Sequence, residues 1–170
     1  VDMKAFVGEP GFEYKENFRT LSNAALAGGV TSIVTMPNTK PIIDNVSMVD
    51  FIIRRGRDKA KVNLFPCASI TRKIEGNQMT EFGLLKARGI IGFSDVTKTI
   101  QNAELMSRVM NYASDLDVLI MQHAEDYELS KNASINEGEI ATRLGLQGVS
   151  DLAEKIIIAV SYTHLTLPTR

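Results

Sequence analysis

The sequence predicts an α/β protein, a partial (β/α)8 TIM barrel comprising about its first five β/α units. Three observations carry this prediction. Five short, apolar, β-branched segments recur along the chain, at residues 1–5, 31–36, 61–70, 90–94 and 118–122. They do not alternate cleanly between apolar and polar residues, as parallel strands buried on both faces do not. Turn-forming and polar residues collect just after them: Glu9-Pro10-Gly11, Pro37-Asn38-Thr39, Asp95 and His123-Ala124-Glu125-Asp126. Barrels carry functional residues at that end of the strands. An open doubly wound sheet shares the same alternation, but no G-x-G-x-x-G follows the first strand, which weakens a dinucleotide-binding version of it.

Helical patterns fill the intervals. Residues 20–27 form the first, stopped by Gly28-Gly29. Asn45 is the expected N-cap of the second, with Val49, Ile52 and Ile53 on one face and an end at Gly56. Thr80 is the expected cap of a short helix through Lys86 that Gly89 terminates. Asn102 caps a fourth, whose stripe of Met106, Val109, Met110 and Ala113 reads as core filling. Ser150 caps a last helix, residues 150–158.

The bulk properties narrow the function. With 170 residues the chain can bury a core of its own. A net charge of -1 provides no field for nucleic acid or an anionic membrane. The run Arg54-Arg55-Gly56-Arg57-Asp58-Lys59 reads as a solvated helix end, where cations are favoured. The single cysteine, Cys67, excludes an internal disulfide, suits a cytoplasmic setting, and reads as a buried small hydrophobe within the apolar run VNLFPCASI. No segment has the length of an apolar membrane span, and no signal peptide is visible. Five strands do not close an eight-stranded barrel, and the chain opens without Met in mid-strand, so it reads as the N-terminal part of a longer protein.

The chain divides at residue 158. Residues 1–158 read as the barrel part, whereas residues 159–170, AVSYTHLTLPTR, do not continue the preceding helix pattern. Their run VSYTHLTLP resembles a translated sequencing adapter, so this stretch is set apart as a non-native tail, and His164 with it. The alternative is a genuine strand, given its Val, Tyr, Thr and Leu.

Taken in order, EPGFEYKE, AALAGGVTSIVTMPNTKPIID, EFGLLKARGIIGFSD, QHAED and NEGEIATRLGLQG resemble blocks of the dihydroorotases of the amidohydrolase superfamily. The resemblance covers about residues 1–158 and rests on the order and spacing of the blocks together. It implies a metal-dependent barrel that interconverts dihydroorotate and carbamoyl aspartate in pyrimidine biosynthesis. In such a site zinc supplies hydroxide and polarises the amide carbonyl. A His-x-His pair on a strand grips the metal, because residues i and i+2 share a face.

Carried over position by position, the resemblance exposes a degraded site. Lys4 and Phe6 stand where the two histidines belong, and Gly8 where a substrate-binding arginine belongs. Val96 replaces a ligating acid, while Asp95 matches the preceding acid. His123 matches a ligand histidine and is retained as a vestigial metal candidate. Asn38 matches the substrate-contacting asparagine of the M-P-N-T block. A protonated lysine about 4 Å from Zn²⁺ meets roughly 8 kcal/mol of repulsion at an effective dielectric of about 20. Phe6 and Val96 carry no donor atom, so no cofactor is expected in this chain, although active family members hold zinc. No residue is assigned a catalytic role.

The surviving residues also have structural readings. His123 beside Glu125 and Asp126 suits a hydrogen-bonded strand end, and Asn38 after Pro37 suits a tight turn. The resemblance extends to non-catalytic family members that act as structural partners of aspartate transcarbamoylase, and it implies an oligomer at full length. An active cyclic amidohydrolase with a rearranged site is the alternative. A third reading is a sensor that holds dihydroorotate or carbamoyl aspartate through Asn38 without turning it over.

Overall fold

The computed structural model describes residues 1–164. Its first five strands are β1 (Asp2–Ala5), β2 (Ser32–Thr35), β3 (Asn63–Ala68), β4 (Gly92–Phe93) and β5 (Leu119–Ile120). They form one parallel sheet in the order β1-β2-β3-β4-β5. A doubly wound sheet reverses direction part-way through its strand order. This one runs strictly in sequence, as a barrel wall does, which decides between the two arrangements the sequence allowed. The helices between the strands are α1 (Phe18–Ala27), α2 (Val46–Lys59), α3 (Phe82–Ala87) and α4 (Ala103–Asp115). After β5 come α5 (Tyr127–Ser130), β6 (Ile135–Asn136), α6 (Glu139–Leu144), β7 (Gly148–Val149) and α7 (Leu152–His164), with β6 and β7 paired in parallel as a separate ribbon.

Alternation along the strands sorts side chains onto two faces. One face packs on the helices. There Val7, Ala68, Ile70 and Phe93 meet Phe18 of α1, Val49 and Ile52 of α2, Phe82 and Leu85 of α3, and Leu105, Met106 and Val109 of α4. The rings of Phe82 and Phe93 stack with centroids 3.8 Å apart. The opposite face carries a smaller apolar cluster of Val34, Met36, Cys67, Ile74 and Val96. Cys67 is buried, and burial raises its thiol far above the usual range, so it is an inert core residue.

Several boundaries differ from the sequence expectation, each for a local reason. Helix α1 starts at Phe18, not residue 20, because Asn17 caps it. The Asn17 Oδ1 accepts from Thr20 N, and Thr20 Oγ1 accepts from Asn17 N, each at 3.1 Å. Helix α2 runs through Gly56 to Lys59. Gly56 serves close packing there, since a Cβ would lie 3.0 Å from Leu64 Cδ1. Ile53 is 39% exposed instead of buried with Val49 and Ile52. Thr80 does not cap α3; its hydroxyl donates to the Ser69 carbonyl at 2.7 Å and ties down the end of β3. The caps at Asn45 and Asn102 are present, accepting from Met48 N and Leu105 N.

The helix expected to end at residue 158 runs on. Helix α7 continues to His164 through a stretch without Gly or Pro. Val160 packs against the helix-side core, and Ser161 Oγ donates to Gln122 Oε1 at 2.7 Å. The alternative of a strand at residues 159–164 is excluded by the same helix. Residues 165–170 of the expected tail lie outside the described residues. Among the described residues, no helix is long and apolar enough to cross a membrane.

Candidate functional site at the strand ends

The loops leaving β1 to β4 enclose a cleft of about 800 Å³ at the C-terminal end of the sheet. Phe12 comes from the first loop, Asn38 and Lys40 from the second, Lys73 and Ile74 from the third, and Asp95, Val96 and Lys98 from the fourth. This is where the sequence pattern placed the site.

The first two loops are locked together. Lys40 N donates to the Pro10 carbonyl at 3.0 Å. Gly11 has a φ of 95° and packs so tightly on Lys40 that a Cβ would strike its carbonyl oxygen. Gly8 is equally crowded, because the loop folds back on it: Phe12 N donates to the Gly8 carbonyl at 2.6 Å. A Cβ on Gly8 would collide with the Phe12 carbonyl oxygen and lie 2.7 Å from that of Glu16. Glu9, almost wholly buried, braces the loop from below. Its Oε1 accepts from two Arg55 guanidinium nitrogens at 2.7 Å, and its Oε2 accepts from Phe18 N at 3.3 Å.

Asp95 is a second buried brace. Its Oδ1 accepts from Thr71 N at 3.0 Å and its Oδ2 accepts from Thr71 Oγ1 at 2.6 Å. Burial pushes its carboxyl above the ordinary aspartate value, while the Thr71 donors pull the other way. Both oxygens are thus directed at the end of β3, joining two neighbouring strand ends. The backbone around this brace is unusual. Lys73, Ile74 and Val96 have φ of 55°, 56° and 64°, the left-handed region that β-branched residues rarely enter. Each such residue costs about 1–2 kcal/mol in backbone energy, and all three line the cleft.

The residues singled out from the sequence fall into two groups. Asn38, Asp95 and Val96 line the cleft together. Lys4, Phe6 and His123 do not line it. Lys4 lies on β1 and is exposed, and Phe6 just beyond it is 46% exposed; both alternate with Ala5 and Val7, which are buried. His123 stands after β5 with its Nε2 2.8 Å from Glu125 Oε2. Thr99 Oγ1 donates to the His123 carbonyl, and Glu125 N donates to Thr99 Oγ1 at 3.1 Å. The Ser130 hydroxyl first, and His123 second, hold the Glu125 carboxyl below its usual value. His123 is therefore engaged in a strand-end network. Among the described residues, no group of three or more His, Cys, Asp or Glu side chains could hold a metal ion. The donor chemistry agrees: an ammonium, a phenyl ring and an isopropyl group do not make a zinc site.

The profile of the dihydro-orotase-like family matches residues 1–165. The chain belongs to the dihydroorotase-like family of the amidohydrolase superfamily. Over 159 residues it is 46% identical to a dihydroorotase of Syntrophus aciditrophicus and 44% identical to one of Pelobacter propionicus. These matches cover 94% of this chain and 37% and 38% of the relatives, so the chain spans somewhat over a third of their length. Dihydroorotase from Saccharomyces cerevisiae, in complex with 5-fluoroorotic acid, superposes with a TM-score of 0.63 at 13% identity, covering 95% of this chain and 43% of that one. The L-hydantoinase of Arthrobacter aurescens gives 0.57 at 17% identity, over 66% and 26% of the two chains. These likenesses establish the family's barrel fold, of which this chain forms a part.

Two features near the strand ends escape the sequence reading. The Glu9–Arg55 pair joins residues far apart in sequence, and the basic run containing Arg55 reads as a solvated helix end. The crowding at Gly8 is carried by backbone, for which the only sequence signal is the glycine itself.

Proposed function

We propose that the chain is part of a dihydroorotase-like protein of pyrimidine biosynthesis that has lost metal-dependent hydrolysis and serves in the cytoplasm as a non-catalytic partner of aspartate transcarbamoylase. One observation carries the reading. Three positions where the family resemblance calls for metal ligands hold Lys4, Phe6 and Val96, and the last two have no donor atom. The change at Gly8 supports it: the loop backbone occupies the space that any side chain there would need. The surrounding fold keeps its caps, its buried braces and a filled core. Retention of a well-packed fold around a dismantled site is what selection for a scaffold would leave.

A second reading, an active dihydroorotase with a rearranged metal site, draws on the 46% identity to a protein that bears that name. The deciding experiment is an assay of the full-length protein for dihydroorotate hydrolysis, with and without added zinc, alongside gel filtration with aspartate transcarbamoylase at micromolar concentration. No turnover and joint migration are expected. Zinc-dependent turnover favours the second reading, and separate migration removes the partner role.

A further inference from the structure

We infer that residues 71–79 form a strap that opens as a unit and uncovers the Cys67 side of β3 while the sheet stays folded. The segment has the build of a compact loop with closed ends. At its base Thr71 and Met79 form an antiparallel bridge, Arg72 N donates to the Gln78 carbonyl at 2.8 Å, and Gly76 N donates to Thr71 Oγ1 at 2.9 Å. The base is anchored to the sheet. Asp95 holds Thr71 through both carboxylate oxygens, and Thr80 N donates to the Ile70 carbonyl at 3.0 Å. None of these bonds has to break when the tip swings away.

Beyond the base, little holds the strap down. Between Thr71 and Thr80, Ile74 is the single buried residue. Its side chain joins Val34, Met36, Cys67 and Val96 in the apolar cluster. Lys73 N donates to Asp44 Oδ2 at 3.2 Å. The latch is thus one isoleucine and one hydrogen bond. The closed position is also strained, because the consecutive residues Lys73 and Ile74 have φ of 55° and 56° and neither is glycine. Leaving the left-handed region recovers backbone energy, whereas withdrawing Ile74 from the cluster loses apolar burial. The two effects are of similar size and opposite sign, so opening the strap costs little beside unfolding the sheet. Strain held in this way gathers at switch segments. Cys67 is fully buried in the same cluster as Ile74, while its strand is paired on both sides, to β2 and β4. Opening therefore exposes a thiol without freeing the backbone that carries it. This inference does not depend on the partner role or on the absence of turnover.

The test is alkylation of the folded full-length protein with N-ethylmaleimide, read by mass spectrometry of the peptide that holds Cys67, alongside native-state hydrogen exchange of β3. A thiol exposed only by global unfolding is labelled at a rate that rises steeply with urea, because unfolding exposes much surface. Strap opening predicts labelling nearly independent of urea below the unfolding transition, with the β3 amides still protected. Ile74→Ala is expected to speed labelling by about tenfold or more, through the lost burial. Asp44→Ala, which removes the acceptor of Lys73 N, is expected to speed it as well. Lys73→Gly removes the left-handed penalty of the closed position and is expected to slow labelling by about threefold. Leu85→Ala weakens the core on the other face of the sheet and is expected to leave the low-urea rate unchanged. Labelling that tracks global unfolding through the whole urea range, an unchanged rate in Ile74→Ala, or acceleration by Leu85→Ala in step with its lost stability would overturn the inference.

Discussion

Glu9 and Asp95 show how much of this molecule is decided by single buried carboxylates. Glu9 gathers β1, α1 and α2 onto one side chain through Phe18 N and Arg55. Replacing it by Ala strands a buried N–H and frees the guanidinium. The expected loss is about 2 kcal/mol, read as a lower urea midpoint. Asp95 gives a different signature. Burial holds its folded-state carboxyl above the ordinary aspartate value of 3.8, so the folded state binds its proton more tightly than the unfolded chain does. Its contribution to stability is therefore full at pH below that value and declines as pH rises through the raised one. Asp95→Asn keeps an acceptor for Thr71 N and removes the titration. Compared across that window by denaturant unfolding, the wild type should lose stability relative to the variant as pH rises. A difference that stays constant with pH would show that Asp95 does not titrate in this way. At Gly8, substitution by Arg should not rebuild a substrate contact. It should destabilise the protein by roughly 1–3 kcal/mol, as other overpacked sites do, in the same unfolding assay.

The elements show which signals are local. Asn45 and Asn102 are legible as caps because a cap needs only its own first turn. Strand positions are legible because the apolar, β-branched runs are short and bounded. Asn17 was hidden by a capping box completed by Thr20 instead of an acid. Asn17→Ala should cost about 1 kcal/mol in thermal or denaturant unfolding. Thr80 and Gly56 misled for a shared reason. Each has a strong local meaning, cap and stop, but serves a distant partner, the Ser69 carbonyl and the Leu64 side chain. The candidate site divides the same way. Its location at the strand ends follows from residue order, whereas the assignment of Lys4, Phe6 and Val96 to ligand positions is what the family resemblance implies. The tie of His123 to Glu125, the Asp95–Thr71 brace and the left-handed turns depend on chain folding that no short window contains. The short units from α5 to β7 contain no apolar, β-branched run like those that mark the earlier strands.

For the molecule as a whole, the sheet sets a gradient of order. Strand β3 is the longest, has a parallel partner on each side and lies between both apolar clusters. Strand β1 has a single described partner and an irregular register. Native-state hydrogen exchange should find the slowest amides in β3 and its neighbours, and much faster exchange in β1 and the β6–β7 ribbon. Uniform protection across the seven described strands would contradict this.

The strictly sequential strand order bears on how such a chain leaves the ribosome. Each of β2 to β5 pairs with the strand synthesised just before it, so none of these four waits for a distant segment to emerge. The order in which the units appear is the order in which they can dock. Each new βα unit finds its template already laid down, and the nascent chain always carries one fresh edge, which the next strand covers.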